Sequence, residues 1–260
     1  MKDILEEIVA NKKKELEERK SIFSIGLLEE NCTKTKRKAL SMSSALSSST
    51  SGIIAEFKRR SPSKGWINEK ANIADVTSSY ERNGASALSI LTDNKYFGGK
   101  IDDIITVRPN INIPILRKEF IIDEYQIYQA RLIGADAILL IAAALEKDNC
   151  MALAKKAHEL GLEVLLELHS EPELDYINDS VDMIGINNRN LGTFHTDVSA
   201  SLSLIDKLPK GKVLVSESGI SSPNVVKELR EKGFNGFLIG ERFMKDSNPG
   251  IQLAEFINAI

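Results

Sequence analysis

A (β/α)8 barrel, the TIM-barrel class, with an N-terminal helical extension is the fold class that this sequence predicts. From Ile53 onward, eight short apolar or β-branched runs alternate with helical stretches. Strands that alternate with helices form parallel sheets, because parallel strands need long crossover connections. The length of 260 residues suits one such barrel. An open doubly wound sheet is disfavoured, because no G-x-G-x-x-G motif follows the first run.

The eight predicted strands are nearly continuous in apolar character, as expected of parallel strands buried on both faces. They are Ile53–Phe57, Ala87–Leu91, Ile113–Arg117, Ala137–Ile141, Glu163–Leu168, Met183–Ile186, Val213–Ser216 and Gly236–Ile239. The clearest helical patterns between them are Ala74–Arg82, Asp123–Leu132, Lys147–Leu160 and Pro223–Lys232. Each of these patterns is followed by glycine within two residues, which is the expected helix stop before a strand.

Residues 1–50 are predicted to form the helical extension and residues 53–260 the barrel, within a single domain of residues 1–260. Residues 1–20 show the pattern of one amphipathic helix, with Ile4, Leu5, Ile8, Val9 and Leu16 near one face. The serine-rich stretch 41–51 has two interpretations. It forms either a flexible linker or part of a short capping helix around Ala39–Leu46.

Composition argues against several classes of function. The formal net charge is -3 and the isoelectric point about 5.8, whereas a nucleic-acid-binding domain is ordinarily basic. The longest apolar run, Ala137–Leu145, is too short to span a membrane, and the acidic N-terminus does not suit a targeting peptide. The two cysteines and three histidines show no metal-ligand spacing. We therefore expect a reduced, cytoplasmic protein without a metal.

Charged side chains mark the ends of the odd-numbered strands, where barrel enzymes hold their active sites. They are Glu56, Lys118, Glu167 and Glu217. Interior layers take one side chain from each alternate strand, so we expect these four in one layer at the mouth, with Lys58 just above Glu56. A single Glu–Lys pair is ordinarily structural, but three carboxylates and two ammonium groups together can supply an acid and a base at neutral pH.

Two loops predict a phosphate site and a third predicts a lid. Ser218-Gly219 follows the seventh strand and Gly240-Glu241 follows the eighth, where backbone N–H groups bind phosphate in many barrels. The loop 59–72 is longer than most βα connections, and its Lys64 favours a lid over an anionic ligand. An ordinary surface loop is the alternative.

The motifs at these positions resemble, in order and spacing, those of the indole-3-glycerol phosphate synthase family of tryptophan biosynthesis. They are IIAEFKRRSPSKG, LRKEF, LLELH, IGINNRNL, VSESGI and GFLIGERFM. The resemblance covers nearly the whole chain, including the extension. Glu119 is a departure, because the family usually has Asp after the lysine, and we expect it to affect loop packing rather than identity. Since the chain ends after one barrel, we expect a monofunctional enzyme.

The resemblance implies a reaction. The family converts 1-(2-carboxyphenylamino)-1-deoxyribulose 5-phosphate to indole-3-glycerol phosphate with loss of CO2 and water, and needs no metal or organic cofactor. The resemblance makes Lys118 the acid that protonates the carbonyl oxygen. Lys58 would hold the substrate carboxylate and donate a later proton, while Glu56 and Glu167 take and return protons.

The resemblance also assigns supporting residues. Glu217 and Asn187 would orient the lysines and the sugar hydroxyls, with contacts from Arg189 and Ser61. The phosphate would lie on Ser218, Gly219, Gly240 and the backbone of Glu241. The pocket for the aromatic ring maps onto Phe97, Leu116, Phe120, Leu139, Ile141 and Leu191.

Two other functions are compatible with part of these features. Another phosphate-binding barrel enzyme, such as a sugar-phosphate isomerase, explains the glycines after strands 7 and 8 but does not need Lys58 and Lys118. A catalytically inactive barrel kept as a binding partner is disfavoured by the intact set of charged residues. We expect a small phosphorylated substrate, no nucleic-acid or membrane partner, and a monomer with at most weak association with other tryptophan-pathway enzymes.

Overall fold

Eight parallel strands pair edge to edge in a closed barrel in the computed structural model, which describes residues 4–189 and 195–260. The ring closes where the first strand pairs with the eighth, in the register Ile53 to Phe237. The strands are β1 (Ile53–Phe57), β2 (Ala87–Leu91), β3 (Ile115–Lys118), β4 (Ala137–Ile141), β5 (Glu163–Leu168), β6 (Met183–Asn187), β7 (Val213–Glu217) and β8 (Gly236–Ile239). The predicted fold class is confirmed.

Helices occupy most of the intervals between strands. They are α1 (Ile4–Ile22), α2 (Ile25–Lys34), α3 (Met42–Ser48), α4 (Ile73–Arg82), α5 (Ile101–Val107), α6 (Glu124–Ile133), α7 (Lys147–Glu159), α8 (Ser199–Leu204), α9 (Pro223–Glu231), α10 (Glu241–Met244) and α11 (Pro249–Asn258). After β5 a 3-10 helix, Glu171–Tyr176, takes the place of an α-helix. Among the residues described, no helix combines the length and the apolar character that crossing a membrane requires.

The third strand begins two residues later than predicted. The prediction placed it at Ile113–Arg117, but it runs from Ile115 to Lys118. Pro114 precedes it, and proline has no N–H to donate to a sheet ladder, although its carbonyl still accepts from Leu88. The shift brings Lys118 into the strand itself.

Side chains of the strands alternate between two apolar layers. Ile53, Ala55 and Phe57 of β1 point outward and pack under the surrounding helices. Ile54, on the same strand, points inward to a smaller cluster that fills the barrel. The polar groups at the mouth therefore lie directly above an apolar cluster that fills the barrel interior.

The extension contacts both ends of the barrel. Helix α3 confirms the capping-helix interpretation of the serine-rich stretch, and its Met42 and Leu46 are buried in the inner cluster. Glu163, at the start of β5, accepts the Ser43 N–H at 2.8 Å, so α3 closes the amino-terminal end. Helix α1 lies at the opposite end, where Leu5 lines the cavity at the mouth.

Candidate active site

A cavity of about 390 Å³ lies at the carboxyl ends of the strands. Its volume falls in the range of pockets that enclose small molecules. The residues predicted to be catalytic all line it: Glu56, Lys58, Lys118, Glu167, Asn187 and Glu217. The odd strands thus bring their charged ends to one cavity, as the layer prediction requires.

Lys118 lies between two carboxylates. Its Nζ is 2.7 Å from Glu217 Oε2 and 3.0 Å from Glu167 Oε2. The side chains of the two glutamates are only 1% and 4% exposed, and that of Lys118 is 14% exposed. This ion triad, Glu167–Lys118–Glu217, is therefore screened by little water, and its charges interact strongly.

The pKa values of the ion triad move apart. Burial disfavours the charge on Lys118, but Glu167 and Glu217 outweigh burial and raise its pKa above the ordinary value. Burial also acts against ionised Glu167, yet Lys118 and His169 lower its pKa to about 2. Burial raises the pKa of Glu217 to about 7, because the attraction of Lys118 does not offset it. Near neutral pH the site therefore holds an ammonium, a carboxylate and a carboxyl group that titrates.

Glycines on the even strands make room for two of the carboxylates. A Cβ atom at Gly185 of β6 would lie 2.4 Å from Glu217 Oε1. A Cβ atom at Gly240, directly after β8, would lie 2.5 Å from Glu56 Oε1. Both distances are far below ordinary van der Waals contact, so a side chain at either position would displace the neighbouring carboxylate.

Lys58 and Asn187 complete the polar part of the cavity. Lys58 Nζ is 2.5 Å from Glu56 Oε1, as expected of residues on one face of the chain. Asn187 Nδ2 donates to Glu167 Oε1 at 3.0 Å, and Asn187 Oδ1 accepts the Arg189 N–H at 3.0 Å. Hydrogen bonds thus reach Glu167 from both β3 and β6.

His169 follows the fifth strand in the sequence, where a single histidine is ordinarily a loop residue, but in the structure it lies against Glu167 of the site. Its Nε2 is 3.3 Å from Glu167 Oε1, and His169 does not itself line the cavity. The other nearby carboxylate is that of Glu173, which is 3.8 Å from Nδ1. The two-residue spacing from Glu167 is the signal in the sequence that could have indicated this contact.

Apolar side chains form another wall of the cavity. The rings of Phe97 and Phe120 have centroids 5.8 Å apart and are tilted by 35°. Leu139 and Ile141 of β4 also line the cavity. Leu116 does not, because it faces inward from β3 and is fully buried in the cluster below the mouth. Leu191 lies outside the described residues.

The residues predicted to bind phosphate lie on a third side. Ser218 has a positive φ of 65° and Gly219 one of 72°, so the chain turns sharply after β7. Asn188 supports this turn by donating to the Ser218 carbonyl at 3.0 Å. Gly240 and Glu241 line the same side, together with two cations that the sequence reading missed, Arg242 and Lys245.

The long loop after β1 is well organised. Arg60–Ser61 pairs with Gly65–Trp66 as a small hairpin, and the Arg60 N–H donates to the Phe97 carbonyl at 3.1 Å. Ser61 lines the cavity, and its buried hydroxyl has no protein partner there. Lys64 is exposed and does not line the cavity, so only part of the predicted lid faces the site.

The extension contributes residues to the cavity that the sequence did not predict to belong to the site. Leu5 and Ile8 of α1 line the cavity. The buried stripe of this helix then continues through Lys12 to Leu16. A charged residue in such a stripe is the sequence signal that could have indicated a buried ionic contact.

Comparison with known proteins identifies the family. The family model described as indole-3-glycerol phosphate synthase matches residues 5–256. The chain belongs to the indole-3-glycerol phosphate synthase family. An indole-3-glycerol phosphate synthase of Bacteroides thetaiotaomicron is 61% identical over 100% of both chains. One of Polynucleobacter asymbioticus is 45% identical over 98% of this chain and 99% of its own. The resemblance seen in the motifs is confirmed.

Two solved structures with a similar fold are of tryptophan synthase. One is the tryptophan synthase a2b2 complex of Pyrococcus furiosus, with a TM-score of 0.59 at 13% identity over 80% of this chain and 96% of that chain. A mutant tryptophan synthase alpha-subunit of the same organism has a TM-score of 0.60 at 14% identity, with the same coverage. At such identities the likeness supports the barrel fold alone.

In the ranges 4–189 and 195–260, no three His, Cys, Asp or Glu side chains are grouped so that they could hold a metal ion.

Proposed function

We propose that the chain forms indole-3-glycerol phosphate by closing the indole ring of 1-(2-carboxyphenylamino)-1-deoxyribulose 5-phosphate, as an enzyme of tryptophan biosynthesis. The observation that supports the catalytic roles of the lysines and glutamates is the ion triad at the base of a cavity with one apolar and one glycine-rich side. Such a cavity matches a substrate that is aromatic at one end and phosphorylated at the other.

Lys118 is the proton donor of the first step in this proposal. The aryl carbon that carries the carboxylate attacks C2 of the ribulose chain, and the C2 carbonyl oxygen takes a proton from the Lys118 ammonium. Because Glu167 and Glu217 raise the pKa of Lys118 against burial, the proton is present at neutral pH. The bond from the ring to the carboxylate then breaks, and CO2 leaves as aromaticity is restored.

Lys58 and the carboxylates serve the second step. The hydroxyl at the former C2 leaves as water with a proton from Lys58, whose ammonium lies 2.5 Å from Glu56. Glu56 or Glu167 accepts the proton released from C1 as the double bond forms. The low pKa of Glu167, which Lys118 maintains against burial, makes it a carboxylate at neutral pH. Glu217 and Asn187 orient Lys118 and Glu167.

The two ends of the substrate occupy different sides of the cavity in this proposal. Phe97, Phe120, Leu139 and Ile141 contact the ring. Ser218, Gly219, Gly240 and the Glu241 backbone hold the phosphate, and Ser61 and Arg189 make supporting contacts. Pressing the ring against the carbonyl can supply roughly 7–11 kcal/mol of the barrier through proximity.

We also propose that the extension and the barrel form one domain. The contacts that α1 makes at the mouth and α3 at the opposite end support this assignment. Two buried, unpaired thiols, Cys32 and Cys150, support a reducing, cytoplasmic location.

Turnover of the anilino-ribulose phosphate, followed by indole fluorescence, tests the proposal. We expect Lys118→Ala to lower kcat by about 10²–10⁴-fold, the contribution of a positioned acid, with a much smaller change in KM. Lys227→Ala, an exposed lysine of α9, is the matched control and should behave as wild type. Absence of turnover by the wild-type protein would contradict the function, and a fully active Lys118→Ala would contradict the role.

A further inference from the structure

Lys12 is a buried lysine in the middle of α1. Its side chain is 2% exposed, and its Nζ lies 2.7 Å from Glu15 Oε2, 2.9 Å from Asp93 Oδ2 and 3.1 Å from Glu119 Oε1. These four residues are called the Lys12 cluster below. A buried ammonium needs such partners, because nothing else replaces its lost hydration.

Two members of the Lys12 cluster belong to the loops that carry the aromatic pair. Asp93 follows β2, and its Oδ1 accepts the Tyr96 N–H at 2.8 Å, one residue before Phe97. Glu119 follows β3, and its Oε1 accepts the Phe120 N–H at 3.0 Å. The single ammonium of Lys12 therefore ties together the two loops that hold the rings 5.8 Å apart.

Glu119 is also next to the catalytic lysine in the chain. Its Oε2 accepts the Thr92 hydroxyl at 2.7 Å, and the Thr92 N–H donates to the Lys118 carbonyl at 3.1 Å. Arg117 is the other cation beside Glu119, with Nη2 3.8 Å from Oε2. Removing Lys12 would leave Asp93 and Glu119 as two buried carboxylates with less compensating charge, and their repulsion would separate the loops.

We propose that Lys12 is a positioning residue that fixes the aromatic wall of the substrate cavity. Lys12 acts through Asp93 and Glu119, since it does not itself line the cavity. The loops after β7 and β8, which carry the phosphate side, contain no member of the Lys12 cluster. The inference rests on the proposed function, because it assigns the aromatic wall to the ring of that substrate.

The prediction is a selective loss of binding at the aromatic end. Lys12→Met should raise KM for the anilino-ribulose phosphate by about tenfold or more, because small displacements of positioning groups are costly. The inhibition constant of inorganic phosphate, which probes the other end, should stay within about twofold of wild type. Lys13→Met, an exposed neighbour on the same helix, is the matched control and should change neither quantity.

A second variant covers the case in which Lys12→Met does not fold. Glu119→Gln keeps the shape of the side chain and weakens its attraction to Lys12, so it should show a smaller loss of the same kind. Folding of each variant is checked by circular dichroism. Wild-type KM in the folded variants, or an equal loss of phosphate inhibition, would overturn the inference. Failure of the wild-type protein to turn over the substrate would instead refute the proposed function.

Discussion

A methyl group added at Gly185 would collide with the carboxylate of Glu217. The Cβ atom would lie 2.4 Å from Glu217 Oε1 and 3.2 Å from Leu165 Cδ1, where ordinary contact begins at 3.4 Å. Glu217 is 1% exposed and held by Lys118 at 2.7 Å, so any shift of its carboxylate disturbs this contact. A displacement of about 1 Å relieves the clash and breaks this geometry, and misplacement of that size costs roughly 100-fold in rate.

Steady-state kinetics of Gly185→Ala would test this reasoning. We expect kcat to fall by roughly 100-fold, with a smaller change in KM, because the displaced carboxylate holds Lys118, the proposed proton donor. Gly236→Ala is a suitable control, since its Cβ would meet Val215 and Leu46 at 3.0 and 3.1 Å at the opposite end of the barrel. The control should lower the melting temperature and leave kcat unchanged. A folded Gly185→Ala with wild-type kcat would refute the role given to Glu217.

Three further predictions concern stability and the long loop. Burial raises the pKa of Glu217 from 4.5 to about 7, so its contribution to stability is present below about pH 4.5 and is lost as the pH rises to about 7. Urea denaturation across this range should show the loss in wild type and not in Glu217→Gln. Leu46→Ala should lower the free energy of unfolding by about 2–5 kcal/mol, because it leaves a cavity in the inner cluster. Since Leu46 lies at the end of the barrel opposite the mouth, KM should stay unchanged. An altered KM would contradict the view that packing at this end does not affect the site. Arg59→Ala removes hydrogen bonds of 2.6 and 3.0 Å to Asp103, which hold the start of the long loop after β1. It should therefore raise KM more than it lowers kcat. Unchanged kinetics would show that these hydrogen bonds are not needed to position the loop.

The barrel and the charged layer could be predicted from the sequence because both follow from local patterns. The predicted strands 1, 3, 5 and 7 end in four charged residues, Glu56, Lys118, Glu167 and Glu217. Closure of the barrel brings these strand ends together. The start of the third strand was misplaced because Ile113 continues the apolar pattern, whereas Pro114 prevents a ladder hydrogen bond on that residue. Pattern alone cannot weigh the two.

The contacts of the extension could not be predicted in the same way. Lys12 lies in an apolar stripe, but a lysine there commonly extends its ammonium to water. Only the fold brings Asp93 and Glu119 to it from two separate loops. The close approach of position 185 to Glu217 could not be predicted for the same reason, because Glu217 belongs to the neighbouring strand.

The pairing of the extension with distant parts of the chain has a consequence for biosynthesis. Lys20 bonds Asp123, Arg37 bonds Asp136 and Ser41 bonds Glu163, across 103, 99 and 122 residues. The extension is translated before these partners, so it docks only after the middle of the barrel has been translated. Until then its apolar side chains stay in contact with water, and transiently exposed apolar surface of this kind makes a folding intermediate prone to aggregation.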